Sequence, residues 1–162
     1  MQTRCFLARW HRVLHLPRQP SLAWHRARIR EELAERRHAR NFLQRLSEMS
    51  DVLFSTSRAR HDGFEIHPRL FVSVFACPSR FLRSTFGLGL AYAYMLTKFT
   101  LRWGFYRTAA YFAGSPKPFE VREVVNPRKK GKLDEVAERH QIDKERFRRI
   151  CARLKWVWPL LP

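Results

Sequence analysis

The chain has 162 residues, enough for one domain with a real hydrophobic core plus an arm and short for two independent domains. Hydrophobic residues make up 45% and aromatic residues 14%, which excludes a chain disordered by composition and points to an aromatic core. Thirty-two Lys and Arg stand against 14 Asp and Glu, a formal charge of +18, so a compact form repels itself unless a negative partner neutralises it, either phosphate backbone or an anionic lipid surface. Arg greatly outnumbers Lys among these cations. Its planar fork grips phosphate and stacks on bases, which favours nucleic acid and, within that class, RNA. Cys5, Cys77 and Cys151 are far apart and odd in number, a usage that speaks against a disulfide framework and for a reducing compartment.

Residues 1–30 carry seven Arg and no acid, interspersed with Phe6, Leu7, Trp10, Val13, Leu14 and Leu16. This stretch resembles a mitochondrial targeting segment, because a positive amphipathic helix is drawn to a negative membrane and by the matrix-negative potential. The same residues also read as a basic arm that stays on the protein and touches nucleic acid, and Met49 offers an alternative start. Removing the seven Arg would lower the charge from +18 to +11.

The next element is a long helix from Ser21 to about Arg60, started by Pro20-Ser21 and marked by Ile29, Leu33, Leu43, Leu46 and Leu53 at helical spacing. It ends before His61-Asp62-Gly63, where glycine supplies a terminus. Residues 64–83 read as a loop: Pro68 and Pro78 bracket Phe71-Val-Ser-Val-Phe75, and no second strand is evident to pair with that run. A second helix, Ser84 to Ala113, is apolar nearly all round. Its uncharged run from Ser84 to Thr97 is shorter than the roughly 18 residues of a membrane span, and Lys98, Arg102 and Arg107 follow directly, so it reads as a core helix. Gly114-Ser-Pro-Lys-Pro118 ends it and reads as a hinge.

The basic loop Asn126-Pro-Arg-Lys-Lys-Gly-Lys132 leads to two short helices, Leu133 to His140 and Asp143 to about Trp156. The expected class is therefore mainly α: a long N-terminal helix, an apolar central helix and a C-terminal pair of short helices. Along the chain this gives a basic arm at 1–30, a helical core at 31–114, a hinge and basic loop at 115–132 and the helix pair at 133–162. Val136, Ala137, Ile142, Phe147 and Ile150 fall where a helix-turn-helix keeps its buried residues, and the pair resembles that family of modules; the usual turn glycine is Gln141 here. The resemblance implies that the second helix presents Lys144, Arg146, Arg148, Arg149 and Arg153 to nucleic acid. Arg128, Lys129, Lys130 and Lys132 are natural phosphate contacts, and Lys155, Arg102 and Arg107 join them through Arg-aromatic interleaving in Arg102-Trp-Gly-Phe-Tyr-Arg107 and Arg153-Leu-Lys-Trp-Val-Trp158. At helical spacing most of those aromatics read as core.

Val121-Arg-Glu-Val-Val-Asn-Pro127, the Leu133 unit, Trp158-Pro-Leu-Leu-Pro162 and the stretch from Tyr92 to Ala110 resemble a family of small, uncharacterised fungal proteins, a likeness that implies a eukaryotic source and no function. Ile66 to Gly89 stands outside it as an insertion. No spacing brings a third metal ligand beside His11 and His15 or beside His61 and His67; Gly87-Leu-Gly89 lacks the third glycine of a dinucleotide loop, and the carboxylates sit beside Arg on helix faces. No catalytic residue, metal or cofactor is expected. The expected function is non-enzymatic binding of nucleic acid, within a mitochondrial ribonucleoprotein or ribosome-associated assembly. A helix-turn-helix DNA-binding protein, nuclear or mitochondrial, and a peripheral protein of the inner membrane are the alternatives.

Overall fold

The computed structural model describes residues 2–66, 85–129 and 131–157, and among them the chain is helical with no strand. Six helices follow in order: α1 Gln2–Leu14, α2 Leu22–His38, α3 Phe42–His61, α4 Thr85–Phe112, α5 Lys132–Arg139 and α6 Lys144–Val157, with a 3-10 turn at Pro118–Glu120 between α4 and α5. The mainly α class expected from the sequence is the class observed. The Phe71 to Phe75 run and Lys130 lie outside the described residues. No helix among the described residues is long and apolar enough to cross a membrane.

The predicted helix over 21–60 is interrupted. Ser21 starts α2 as expected, its hydroxyl accepting from the Trp24 N–H at 3.2 Å. Ala39 then turns extended, and Asn41 opens α3 by accepting the Gln44 N–H at 2.8 Å while the Gln44 side chain accepts the Arg40 N–H at 3.0 Å. This reciprocal capping makes Asn41-Phe-Leu-Gln44 a helix start inside a run whose composition favours helix throughout.

Three helices end on the same backbone device. After α3, α4 and α5, the residue at Gly63 (φ 96°), Gly114 (φ 80°) and Gln141 (φ 54°) is left-handed. The next N–H reaches back five residues each time: Phe64 to the Ala59 carbonyl at 2.9 Å, Ser115 to Ala110 at 3.0 Å and Ile142 to Ala137 at 2.8 Å. These bonds satisfy last-turn carbonyls that the helix leaves open. Two of the three positions are glycine, as that conformation favours.

The chain forms two compact units, Met1–Val13 with Pro17–Leu96, and Leu14–Leu16 with Thr97–Pro162. In the first, α2 and α3 pack along each other over Ile29, Leu33, Leu46, Met49, Val52 and Leu53, all buried. Helix α1 belongs to this packing. Its His11 is 1% exposed, stacks on His61 with ring centroids 5.1 Å apart and bonds through Nε2 to Ser57 Oγ at 2.9 Å. His25 sits 3.3 Å from Asp62, which also pairs with Arg58 at 3.2 Å and accepts the Gln19 N–H. Residues 1–30, expected as an arm, thus supply α1 and the first half of α2. Cleavage after residue 30 would remove His11, His25 and Ile29 from this packing.

The core of the second unit joins Phe105, Tyr106, Ala109, Ala110 and Ala113 of α4 and its end to Val121 and to Val136, Ala137, Ile142, Phe147 and Cys151. Alanines one turn apart on α4 leave room for close approach, and Tyr106 stacks on Phe147 at 6.5 Å. Burial pushes the Cys151 thiol up to about 12, so it packs as a small apolar group and carries no reactive thiolate at neutral pH.

The α2 and α3 pair also buries a carboxylate. Glu32 is 1% exposed, and its ligating atoms lie within 4.8 Å of those of Glu48 and Asp51. Burial and then Asp51 raise its pKa from 4.5 to about 7, with Arg28 opposing and Glu35 and Glu48 adding to the rise. A carboxyl whose folded pKa lies above its unfolded value contributes stability that is full below pH 4.5 and is lost as pH rises through about 7. Arg28 keeps a second partner in Glu31 at 2.7 Å. Glu32→Gln should therefore raise the thermal midpoint by about 2–6 °C at pH 8 and leave it nearly unchanged at pH 4.5. Circular dichroism melts at the two pH values measure this; equal shifts at both would count against a retained proton.

Candidate nucleic-acid interface

The cations of the second unit are sorted by the few carboxylates there. Lys132 pairs with Glu135 at 2.6 Å, Lys144 with Glu138 at 3.1 Å and Lys117 with Glu120 at 3.3 Å. Arg148 bonds to Asp134 across the helix pair and to Glu145 at 2.9 Å, and the hydrogen bond from Arg148 holds the Asp134 carboxyl below its ordinary range. Glu123, 5% exposed, accepts from Arg139 and lies 3.3 Å from His140 Nε2. Asp143 caps α6, accepting the Arg146 N–H at 2.6 Å. From Thr97 to the end of the chain the acids are Glu120, Glu123, Asp134, Glu135, Glu138, Asp143 and Glu145, so each one has an internal use.

Arg128, Lys129, Arg149 and Arg153 are left exposed, and none of them makes an ion pair among the described residues. Phe147, Ile150, Cys151 and Leu154 turn one face of α6 to the core, which places Arg149, Arg153 and Trp156 on the opposite side. Trp156 is 89% exposed, so this member of the interleaved Arg-aromatic stretch faces solvent, whereas Phe105 and Tyr106 of the other are fully buried. The basic loop is shaped by Asn126, whose Oδ1 accepts the Arg128 N–H at 2.9 Å, and by Gly131, left-handed at φ 75°. With no atom within 4 Å of where a Cβ would stand, Gly131 serves the turn and relieves no crowding.

The remaining expected contacts are placed differently. Arg102 is 5% exposed with its guanidinium 5.3 Å from the Phe99 ring centroid, so the expected contact at this position is corrected: burial withdraws the side chain from a polyanion. Arg146 donates to the Phe112 carbonyl at 3.3 Å and lies against Gly114, where it closes the C-terminus of α4. Lys155 is half-buried. Arg107 is held over two rings, Trp103 at 4.3 Å and Phe119 at 5.0 Å. Sequence reasoning did not single out Phe119, since nothing local ties it to a helix that ends at Phe112.

In the first unit, His11, Ser57, His61 and Tyr92 line a cavity of about 650 Å³ with Leu7, Leu53 and Ile66. The Ser57 hydroxyl donates to the Phe54 carbonyl at 3.0 Å, so His11 Nε2 is the donor in its bond to Ser57. Burial, then His61 and Arg58, push the His11 pKa down to about 3, which keeps the ring neutral. The serine proton is therefore engaged away from the imidazole, and this contact ties α1 to α3.

Comparison with family models, curated proteins and solved structures finds no match to the chain.

The turn between α5 and α6 sets how α6 is presented, and it holds Gln141 where an L side chain is strained. Gln141→Gly should raise stability by about 0.5–1 kcal/mol, the relief of a left-handed residue less the greater unfolded freedom of glycine. Urea unfolding measures it, and a loss of stability would show that the glutamine side chain holds the turn.

Proposed function

We propose that the chain is a non-enzymatic protein that binds the phosphate backbone of RNA, in a mitochondrial ribonucleoprotein or ribosome-associated setting, through Arg128, Lys129, Arg149 and Arg153. The observation that carries this reading is the use of every acidic side chain of the second unit inside that unit, while these four cations stay exposed and make no ion pair among the described residues. Phosphate contacts of this kind give salt-dependent affinity without base readout.

The α5 and α6 pair, with its left-handed turn and its buried Val136, Ala137, Ile142 and Phe147, supports the helix-turn-helix DNA alternative in its geometry. Its chemistry supports that alternative less. A groove-reading helix uses side chains of its N-terminal half, where Lys144 and Arg148 pair with α5 carboxylates and Arg146 closes α4. The acid-free N-terminal stretch supports the mitochondrial setting over the nuclear one.

The test is fluorescence anisotropy with a 20-nucleotide RNA across 50–300 mM salt, for the natural chain and for Arg149→Ala/Arg153→Ala. The double variant should bind more weakly at every salt concentration, with a log–log salt slope reduced by about 1.4. An anionic vesicle and a DNA duplex serve as comparators. Absence of RNA binding at 50 mM salt, or binding indifferent to salt, would sink the reading.

A further inference from the structure

The contact between α1 and α3, which lies within the first unit, holds a titratable ring out of water. The His11 imidazole is 5.1 Å from the His61 ring centroid and 5.8 Å from that of Phe54, and Trp10 meets Phe54 edge-on at 6.1 Å beside it. Nε2 gives its proton to Ser57 Oγ at 2.9 Å, because the serine hydroxyl itself donates to the Phe54 carbonyl. Nδ1 is then the lone-pair nitrogen, and it is buried with no hydrogen-bond partner among the described residues. An imidazolium carries a second N–H at that atom. Protonation in place would therefore bury a donor without an acceptor and a charge without a counter-ion.

The charged groups around the ring do not supply one. On α3, Arg58 and Arg60 are cations, and Arg12 of α1 and Arg18 of the next segment act on His61 in the same sense. The buried Asp62 carboxylate lies 3.3 Å from His25 on α2, pairs with Arg58 at 3.2 Å and accepts the Gln19 N–H. Glu65 reaches the adjoining cavity from an exposed position, and burial keeps the Tyr92 hydroxyl of α4 neutral. The junction is also incompletely filled: the cavity of about 650 Å³ is lined from α1 by Leu7, Ala8 and His11 and from α3 by Leu53, Thr56 and Ser57. Helix α1 lacks there the dispersion contacts of full packing.

We propose that His11 is a proton-operated latch: neutral, it docks α1 on α3, and protonated, it releases α1 from that packing. Release frees Trp10 to join Phe6 and Val13, which are exposed already, and turns a packed helix into a basic amphipathic one. The latch concerns the first unit and stands apart from the RNA-binding reading of the second.

Burial, then His61 and Arg58, lower the docked pKa from 6.5 to about 3, so the contribution of His11 to docking is present above pH 6.5 and lost as pH falls toward 3. Between pH 7.5 and pH 5 the release equilibrium should shift by about thirtyfold, since a released His11 is protonated at pH 5 and a docked one is not. A free helix of 13 residues is marginal in water, so release is read by hydrogen-exchange mass spectrometry of the full chain, with rates corrected for the intrinsic effect of pH. Amides of α1 should lose protection by about ten- to thirtyfold from pH 7.5 to pH 5. His11→Phe keeps an aromatic ring against Phe54 and takes no proton, so its α1 should hold its protection within about twofold over the same range. Unchanged protection in the natural chain, or the full loss persisting in His11→Phe, overturns the latch. If that variant does not fold, a proton NMR titration of the natural chain decides: a His11 ring that titrates near its ordinary value while α1 stays protected overturns the proposal, and one that charges only as α1 begins to exchange supports it.

Discussion

Carboxylates are scarce in this chain, and their placement organises the second unit. Each acid there is committed to a helix start, to a neighbour on the same helix or to the junction between elements, and the cations so engaged take fixed positions. Exposed pairs of this kind add little stability singly, on the order of 0–1 kcal/mol. Their larger effect is selective: Arg148 and Lys144 are drawn toward α5, whereas Arg149 and Arg153, one and five positions beyond Arg148, are turned to solvent. The helical period decides which arginine of an adjacent pair meets an acid.

Backbone geometry cooperates with this sorting. The repeated left-handed ending closes α3, α4 and α5 within one residue each and sends the chain back across the helix it has left. At α4 the ending is reinforced by Arg146, a cation spent on a helix terminus, which couples α6 to the last turn of α4. At α5 the same ending is reached without glycine, and buried Ile142 anchors the chain beyond it.

In the first unit several ionisable groups, among them His11, His25, Glu32 and Arg58, are buried. Neutral His11, the raised pKa of Glu32 and the Asp62 contacts with His25 and Arg58 hold its helices together with polar groups that would be costly to leave unmatched. The composition that makes residues 1–30 look like an address also suits a helix that packs: both need an apolar face and exposed arginines. Composition therefore does not separate the two roles, and His11, which lies on the packed side of α1, is the residue that marks the second.

The helical class, the start at Ser21, the glycine terminus at Gly63, the core role of the apolar helix and the buried set Val136, Ala137, Ile142 and Phe147 were legible in the sequence, because each rests on spacing or on a residue's own backbone preference. The capping pair Asn41 and Gln44 was also written there, though helix-favouring neighbours masked it. Which cations stay exposed and make no ion pair among the described residues was not legible. Charge counts along a chain do not say which arginine finds a carboxylate on another helix, which one is buried against Phe99, or that Phe119 comes to stand beside Arg107. Those outcomes depend on contacts between segments distant in sequence, so only the tertiary structure decided them.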